Sequence, residues 1–385
     1  MTPPRSAEST PRRSFWGWGN EDGGLDEGER EALKMMMGAR LGVSELTELS
    51  VPRLEDVRLP EPRFEAPSSL GVILSQDRYE RAAHTYGKAF RDIVRGLEGD
   101  FMGAPDAVAL PKDEEELRRV LAFCEERSLA AIPYGGGSSV VGGVEARVDG
   151  RFGGAVSIDL RFFNRVLEVD VTSRAARIQG GMLGPALEEA LRPHGLSLRH
   201  YPQSFEFSSL GGWIATRAGG HYATLHTHID DFVESVRVVT PSGVLATRRF
   251  PASGAGPAPE RLFLGSEGAL GVITEAWMRL QERPRFRASA TARFVDFRHG
   301  AEAARQIVQA GLHPQNCRLL DGGEARNTGA GDGSRSLLLL GFESADHGLD
   351  AAMERALTIA RGFGGEVKEG TGGTRETGEG ARDGE

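Results

Sequence analysis

The stretch Pro133–Gly143, PYGGGSSVVGG, limits what this chain can fold into more than any other feature. Five of its eleven residues are glycine and none is charged. Glycine lets a backbone turn sharply and approach a ligand closely. The common nucleotide motifs do not account for the run. A P-loop needs G-x-x-x-x-G-K-[ST], and no lysine is present. A dinucleotide-binding loop needs G-x-G-x-x-G opening a helix. Gly135 and Gly137 fit that spacing, but Val140 stands at the third glycine, and SSVVGGVE starts a helix poorly. Two readings remain. One is a nest of backbone N–H groups aimed at a diphosphate, with Ser138 and Ser139 adding hydroxyls. The other is a glycine-rich turn without a ligand.

The context upstream is a βαβ-like unit. Val108–Leu110 reads as a short strand broken by Pro111, and Asp113 caps a helix with an acidic first turn. Leu117, Val120, Leu121 and Cys124 recur at helical spacing, so Cys124 reads as a buried thiol. Leu129–Pro133 is the strand that feeds the loop. Downstream, GAVSIDL, NRVLEVDV and RAARIQGG alternate short strands with turns. GPALEEALRPHG is a helix between Pro185 and Gly195. DFVESVRVVTPSGVLAT is a hairpin and GALGVITEAWMRL a further strand. The order predicts an α+β fold, with a new strand–helix pattern from about residue 285.

The 385 residues suggest two or three domains. Residues 27–41 read as a helix with an apolar face from ALKMMMGARL, and residues 1–14 as a disordered lead. A net charge of -9 argues against nucleic acid as the main partner. Two cysteines, Cys124 and Cys317, give no disulfide framework and suit a reducing compartment. No apolar run reaches the roughly 18 residues needed to span a membrane. His221, His226, His228, Asp230 and Asp231 suggest a metal cluster, but no third well-spaced ligand supports one, so no metal is expected.

The loop is followed by YPQSFEFSSLGGWIATRAGGH at 201–221 and FLGSEGALGVITEA at 263–276. This ordered set resembles the FAD-binding domain of the vanillyl-alcohol-oxidase/p-cresol-methylhydroxylase (PCMH) flavoproteins. Within them, FWGWG, SFEFSSLGGWIATRAGG, HIDDFVESVRVVTPSG and LGSEGALGVITEAWMRL look most like the alkyldihydroxyacetonephosphate synthases (alkylglycerone-phosphate synthases). The resemblance implies an α+β fold. Residues 1–95 would be an N-terminal extension with helices and 96–283 a two-subdomain PCMH-type FAD-binding domain. Residues 284–369 would be a partial substrate-binding cap domain and 370–385 a disordered tail. It implies that Pro133, Tyr134, Gly135, Gly136, Gly137, Ser138 and Ser139 cradle the FAD pyrophosphate. Gln203, Ser204, Phe205, Glu206, Phe207, Ser208 and Ser209 would pass the flavin, with Thr216, Arg217, Ala218 and Gly219. Glu267, Gly268, Ala269, Leu270, Gly271, Val272 and Ile273 would lie under the adenine and ribose. No His or Cys falls within 133–143, so the FAD is expected to be non-covalent.

The resembling enzymes exchange the acyl chain of acyl-dihydroxyacetone phosphate for a fatty alcohol in ether-lipid synthesis, without net redox. Carried over by position, His200, Ser209 and Arg318 are the catalytic candidates. A flavin-linked dehydrogenase of a 2-hydroxy acid or other alcohol is the alternative. The family's C-terminal Tyr, phosphate-binding Arg and His-rich loop find no match here. All five tyrosines lie within the first 222 residues and the last histidine is His347. The expectation is a chain that stops inside the cap domain, with doubtful turnover and a third reading as a truncated product binding FAD weakly or not at all. Expected partners are the lipid substrates, with peripheral membrane contact and a homodimer left open. The expected location is the cytoplasm.

Overall fold

The computed structural model describes residues 12–222, 228–250, 254–368 and 370–376. An N-terminal strap begins it. Arg13 bridges Asn20, and Phe15 is buried against Phe101 with ring centroids 5.6 Å apart. Helix α1 (Glu27–Leu41) follows, started by a capping box in which Asp26 and Glu29 satisfy each other's amides. None of its residues is buried, so the apolar face expected for it is left in the open. Helices α2 (Arg78–Ala83) and α3 (Phe90–Leu97) complete the extension.

The first sheet contains β1 (Leu74–Ser75), β2 (Ala107–Ala109), β3 (Ala130–Tyr134) and β4 (Ala155–Asp159), in the order β1-β2-β4-β3. The β2, β3 and β4 strands are parallel, as the βαβ reading requires. The crossover is α4 (Glu114–Glu126), capped by Asp113, which buries Leu117, Val120, Leu121 and Cys124 on the sheet. Burying each such aliphatic side chain contributes roughly 1.5–3 kcal/mol. Burial pushes the Cys124 thiol up to about 12, so it is inert packing.

The second sheet is antiparallel. It holds β5 (Val166–Asp170), β6 (Ala175–Gln179), β8 (Val233–Thr240), β9 (Gly243–Ala246) and β10 (Val272–Arg279), ordered β5-β6-β10-β8-β9. A separate ribbon pairs β7 (Leu196–Ser197) with β11 (Gln281–Glu282). Helices α5 (Gly184–Leu191) and α6 (Leu210–Thr216) cover this sheet through Leu187, Leu191, Leu210, Trp213 and Ile214. Gly180 and Gly211 set the contact. The Gly211 amide donates to Gly180 O at 2.7 Å, and a Cβ on Gly180 would stand 2.2 Å from Ile273 O. Three backbones therefore meet at this point.

The cap is a third sheet. It holds β12 (Phe286–Phe294), β13 (Asn316–Leu320), β14 (Ser336–Ser344), β15 (Glu366–Val367) and β16 (Arg375–Glu376). The order is β13-β14-β12-β15, with β16 also on β12. One face buries Ala288, Ala290, Ala292, Leu338, Leu340 and Phe342 against α7 (Phe297–Gln309) and α9 (Asp350–Gly362). Helix α8 (Gly322–Asn327) closes the β13–β14 connection. The segment from Gly370, which composition marks as a tail, is tied in as far as Glu376. Asp350 accepts from both the Thr374 amide and hydroxyl, and Arg375 pairs in register with Arg287. Among the described residues no helix is long and apolar enough to cross a membrane.

Candidate active site

The glycine loop leaves β3 at Tyr134, which is buried and fixed from two sides. Its hydroxyl donates to Ala83 O at 3.1 Å and its ring lies 4.1 Å from that of His84. His84 in turn meets the buried Asp159 at 2.9 Å, and Asp159 also accepts from Arg161. This network anchors the end of the strand and leaves the loop free to curve away.

A channel of about 310 Å³ runs along the loop. Pro133 through Val141 form one wall, Ser204, Ser208 and Ser209 with Thr216 and Ala218 another, and Glu267, Gly268, Gly271 and Ile273 the third. The glycines are required by contact. A Cβ on Gly135 would stand 2.0 Å from Ser209 Oγ, and one on Gly136 1.7 Å from Phe207 O. Gly137 has φ +67°, open to glycine at no steric cost.

The chemistry of the loop lies in its amides. Among the described residues, the backbone N–H groups from Gly135 to Val140 have no acceptor, while Val141 and Gly143 donate to Ser139 Oγ. Buried or half-buried amides are almost always paired, so the five in succession from Gly135 to Ser139 without a protein partner fit a ligand that accepts several hydrogen bonds. A diphosphate does so. The first amides of α6 are, by contrast, paired within the protein: Leu210 donates to Met182 O and Gly211 to Gly180 O. Ser209 is the N-cap of this helix, accepting from the Gly212 amide at 3.3 Å.

Several expected residues stand elsewhere. Gln203 is exposed and is not part of the channel wall. Phe205 stacks on Trp213 at 6.2 Å, and Val272 is in the core. Glu206 and Phe207 face a separate cleft behind the loop. Arg217 turns away to Asp230 at 2.9 Å, and Gly219 bridges His228. Ala269 and Leu270 are exposed at the bend before β10. The turn that carries them accounts for this: Glu267 and Gly268 both have positive φ, so the chain touches the channel and leaves it within a few residues.

The three catalytic candidates are not brought together in one cluster. Ser209 is in the channel wall. His200 is buried behind it, its ring edge-on to Trp213 at 5.2 Å and to Phe232 at 6.0 Å. Both its ring nitrogens lack a partner among the described residues, and burial, then His228, holds its pKa down to about 4. Arg318 is exposed on β13, with its guanidinium 3.4 Å from His221 Nδ1. Burial, then the Arg318 charge, lowers the His221 pKa. Of the suspected metal cluster, His228 meets Arg217 O and His226 lies outside the described residues. Among the described residues no group of three His, Cys, Asp or Glu could hold an ion.

Between the cap and the second sheet, Glu343 on β14 accepts from Arg199 and lies 3.3 Å from Arg287. Arg199 also stands over the Tyr222 ring at 5.0 Å. Sequence reading missed this clamp and the channel residues Leu160, Gly211, Gly212 and Trp213. The glycine pair at 211–212 carried the signal for the last three.

Known proteins are similar to this chain in sequence and in fold. Residues 105–248 match the FAD binding domain, and residues 283–376 the C-terminal domain of FAD linked oxidases. Alkyldihydroxyacetonephosphate synthase of Dictyostelium discoideum is 42% identical over 248 residues, 64% of this chain and 40% of the relative. The Trypanosoma brucei brucei synthase is 33% identical over 276 residues, 70% of this chain and 45% of the relative. Mitochondrial D-lactate dehydrogenase [cytochrome] of Arabidopsis thaliana is 34% identical over 219 residues, 56% and 37% respectively. The chain thus spans less than half the length of these curated relatives. A solved alkyldihydroxyacetonephosphate synthase superposes with a TM-score of 0.80 at 30% identity, covering 92% of this chain and 74% of that one. FAD is the cofactor to which the matched domains point, and its diphosphate suits the channel's amides. The chain belongs to the alkyldihydroxyacetonephosphate synthase family of FAD-binding proteins.

Proposed function

We propose that the protein holds FAD non-covalently and exchanges the acyl chain of acyl-dihydroxyacetone phosphate for a fatty alcohol. The observation that carries the cofactor part is the run of unpartnered amides from Gly135 to Val140 along a channel floored by glycine. Those amides would hold the diphosphate, and Ser204, Ser208 and Ser209 would border the flavin. When bound, the flavin supplies an electron sink for carbon chemistry beside a ketone. No Cys or His lines the channel among the described residues, which supports a non-covalent cofactor.

The chain's own residues take three roles in this reading. Ser209 places its hydroxyl in the channel wall, against the cofactor. Arg318, with His221 beside it, presents a cation at the gap between cap and second sheet, suited to a phosphate or a departing carboxylate. His200, neutral at physiological pH, supports the channel wall from behind Trp213. The relatives named as synthases favour exchange over oxidation, and the D-lactate dehydrogenase likeness supports the second reading. Incubation with labelled hexadecanol and acyl-dihydroxyacetone phosphate separates them. Labelled ether product with the flavin still oxidised after turnover supports exchange. Bleaching by a 2-hydroxy acid without ether product supports a dehydrogenase. The lipid substrates would enter from the cap side. A homodimer and a peripheral membrane contact belong to the same reading, and sizing chromatography and vesicle flotation test them.

A further inference from the structure

The channel has a charge imbalance. FAD brings a doubly negative diphosphate, yet among the described residues no Lys, Arg or His lines the channel, and Glu267 is its one charged side chain. The cations are on the other side of the loop. Arg13 and Lys88 both line the cleft behind Gly135 and Gly136, and neither forms an ion pair among the described residues. We propose that Arg13, carried by the N-terminal strap, and Lys88, after α2, form a cationic backing that orients and charges the glycine loop for the FAD diphosphate. This inference rests on the cofactor reading above.

The geometry follows from the peptide plane. In a trans peptide the C=O of one residue and the N–H of the next point in opposite directions. Arg13 donates to Gly136 O at 3.0 Å from the rear cleft, which turns the Gly137 N–H toward the channel. The same Arg13 nitrogen reaches Phe207 O at 3.5 Å, the carbonyl that precedes the Ser208 N–H. The Lys88 amide donates to Ser139 O at 2.7 Å, which orients the Val140 N–H in the same way. A Cβ on Gly87 would stand 2.0 Å from Ser139 O, so this contact needs glycine beside the lysine. Each arrangement fixes an amide before the ligand arrives, and a fixed donor loses no orientational freedom on binding.

The charges act through the loop as well. Lys88 is half-buried, and the low-dielectric surroundings that hold its pKa down to about 8, with Arg13 adding to the shift, screen its field less than water would. Arg13 is held in place from three directions. Tyr79 donates its hydroxyl to Arg13 O at 2.8 Å, the Arg13 guanidinium lies 5.5 Å from the Phe207 ring, and Phe15 next door is buried. Gly96 receives the strap, since a Cβ there would meet Trp16 O at 2.7 Å. The strap is thus part of the cofactor site, as a positioning element 123 residues distant in sequence.

The test is titration of the apoprotein with FAD, with ADP and with riboflavin, for wild type, Arg13→Met, Lys88→Met and Arg12→Met. Arg12 stacks on Tyr79 on the same strap without touching the loop, and serves as the control. A charge-assisted hydrogen bond is worth roughly ten- to hundredfold in affinity. Arg13→Met therefore weakens FAD and ADP by about that factor and Lys88→Met by less. Arg12→Met and all riboflavin affinities stay unchanged. The salt dependence of FAD binding is also shallower in Arg13→Met. Should Arg13→Met fail to fold, Arg13→Lys, which keeps the charge and the strap, gives an intermediate FAD affinity. Equal FAD and ADP affinity in wild type and folded Arg13 and Lys88 variants overturns the backing while leaving the cofactor reading intact. A wild-type chain that binds neither FAD nor ADP overturns both.

Discussion

Gly136 lies against Phe207 so closely that a Cβ on the glycine would stand 1.7 Å from the Phe207 carbonyl oxygen. Two segments 71 positions apart thus meet backbone to backbone at the channel wall. Gly136→Ala forces one of them to move, and over-packing of this kind costs about 1–3 kcal/mol. The expected result is a lower thermal midpoint and loss of bound flavin, read by melting and by the visible absorbance of the purified protein. Gly373→Ala, where a Cβ meets nothing, leaves both unchanged.

His200 gives the chain an acid-sensitive core. Its folded pKa, held to about 4 mainly by burial, lies below the unfolded value of 6.5. The neutral ring is the one the fold accepts, so between these values the unfolded chain binds more protons. The contribution is fully present above pH 6.5 and is lost as pH falls toward 4, on the order of 2 kcal/mol by pH 5. Urea unfolding at pH 7 and pH 5 measures it. His200→Phe, which keeps an aromatic ring against Trp213, flattens that pH dependence.

Lys88 acts in the same sense on the alkaline side. Its folded pKa of about 8 lies below the unfolded value of 10.5, so burying the charged form costs stability at neutral pH. As pH rises from 8 to 10.5 the unfolded chain holds the extra proton and stability gains relative to pH 7. The gain is absent in Lys88→Met when the two are compared by denaturant unfolding in the absence of FAD.

Glu343 is the carboxylate that joins the cap to the segment after β7, and its side chain is 11% exposed. Glu343→Gln leaves Arg199 and Arg287 without that countercharge. Removing one partner of a largely buried ion pair costs about 3 kcal/mol. The predicted outcome is early loss of the cap on heating, seen as proteolysis between residues 283 and 290 before the FAD-binding part unfolds.

Arg318 is exposed, so its truncation leaves stability within about 0.5 kcal/mol. Arg318→Ala lowers acyl-to-alkyl exchange on the order of 10²-fold with flavin content unchanged. Full exchange activity in this variant removes Arg318 from the site.

Much of the scaffold was legible because its signals are local. Asp113 and its acidic first turn marked the start of α4, and Pro185 with Gly195 bracketed α5 and its trailing turn. The loop's lack of charge and its glycines pointed to backbone binding, and the close approaches of Gly135 and Gly136 give the physical reason. What was not legible depends on distant parts of the chain. Glu206 and Phe207 share a motif with Ser208 and Ser209 yet face the rear cleft, because the turn from Ser204 to Phe207 reverses the chain between them. The exposed apolar side of α1 looked like core by spacing alone, although no element covers it among the described residues. Arg13 carried no sign of its role, since its partner Gly136 is read only once the strap is seen against the loop.

The most direct test of the account is the visible spectrum of the purified protein before and after heat release of the chromophore. The account predicts flavin absorption in the native sample and a yellow supernatant after denaturation, with FAD recovered intact. A colourless protein that stays colourless on adding FAD, with an unchanged melting midpoint, contradicts it.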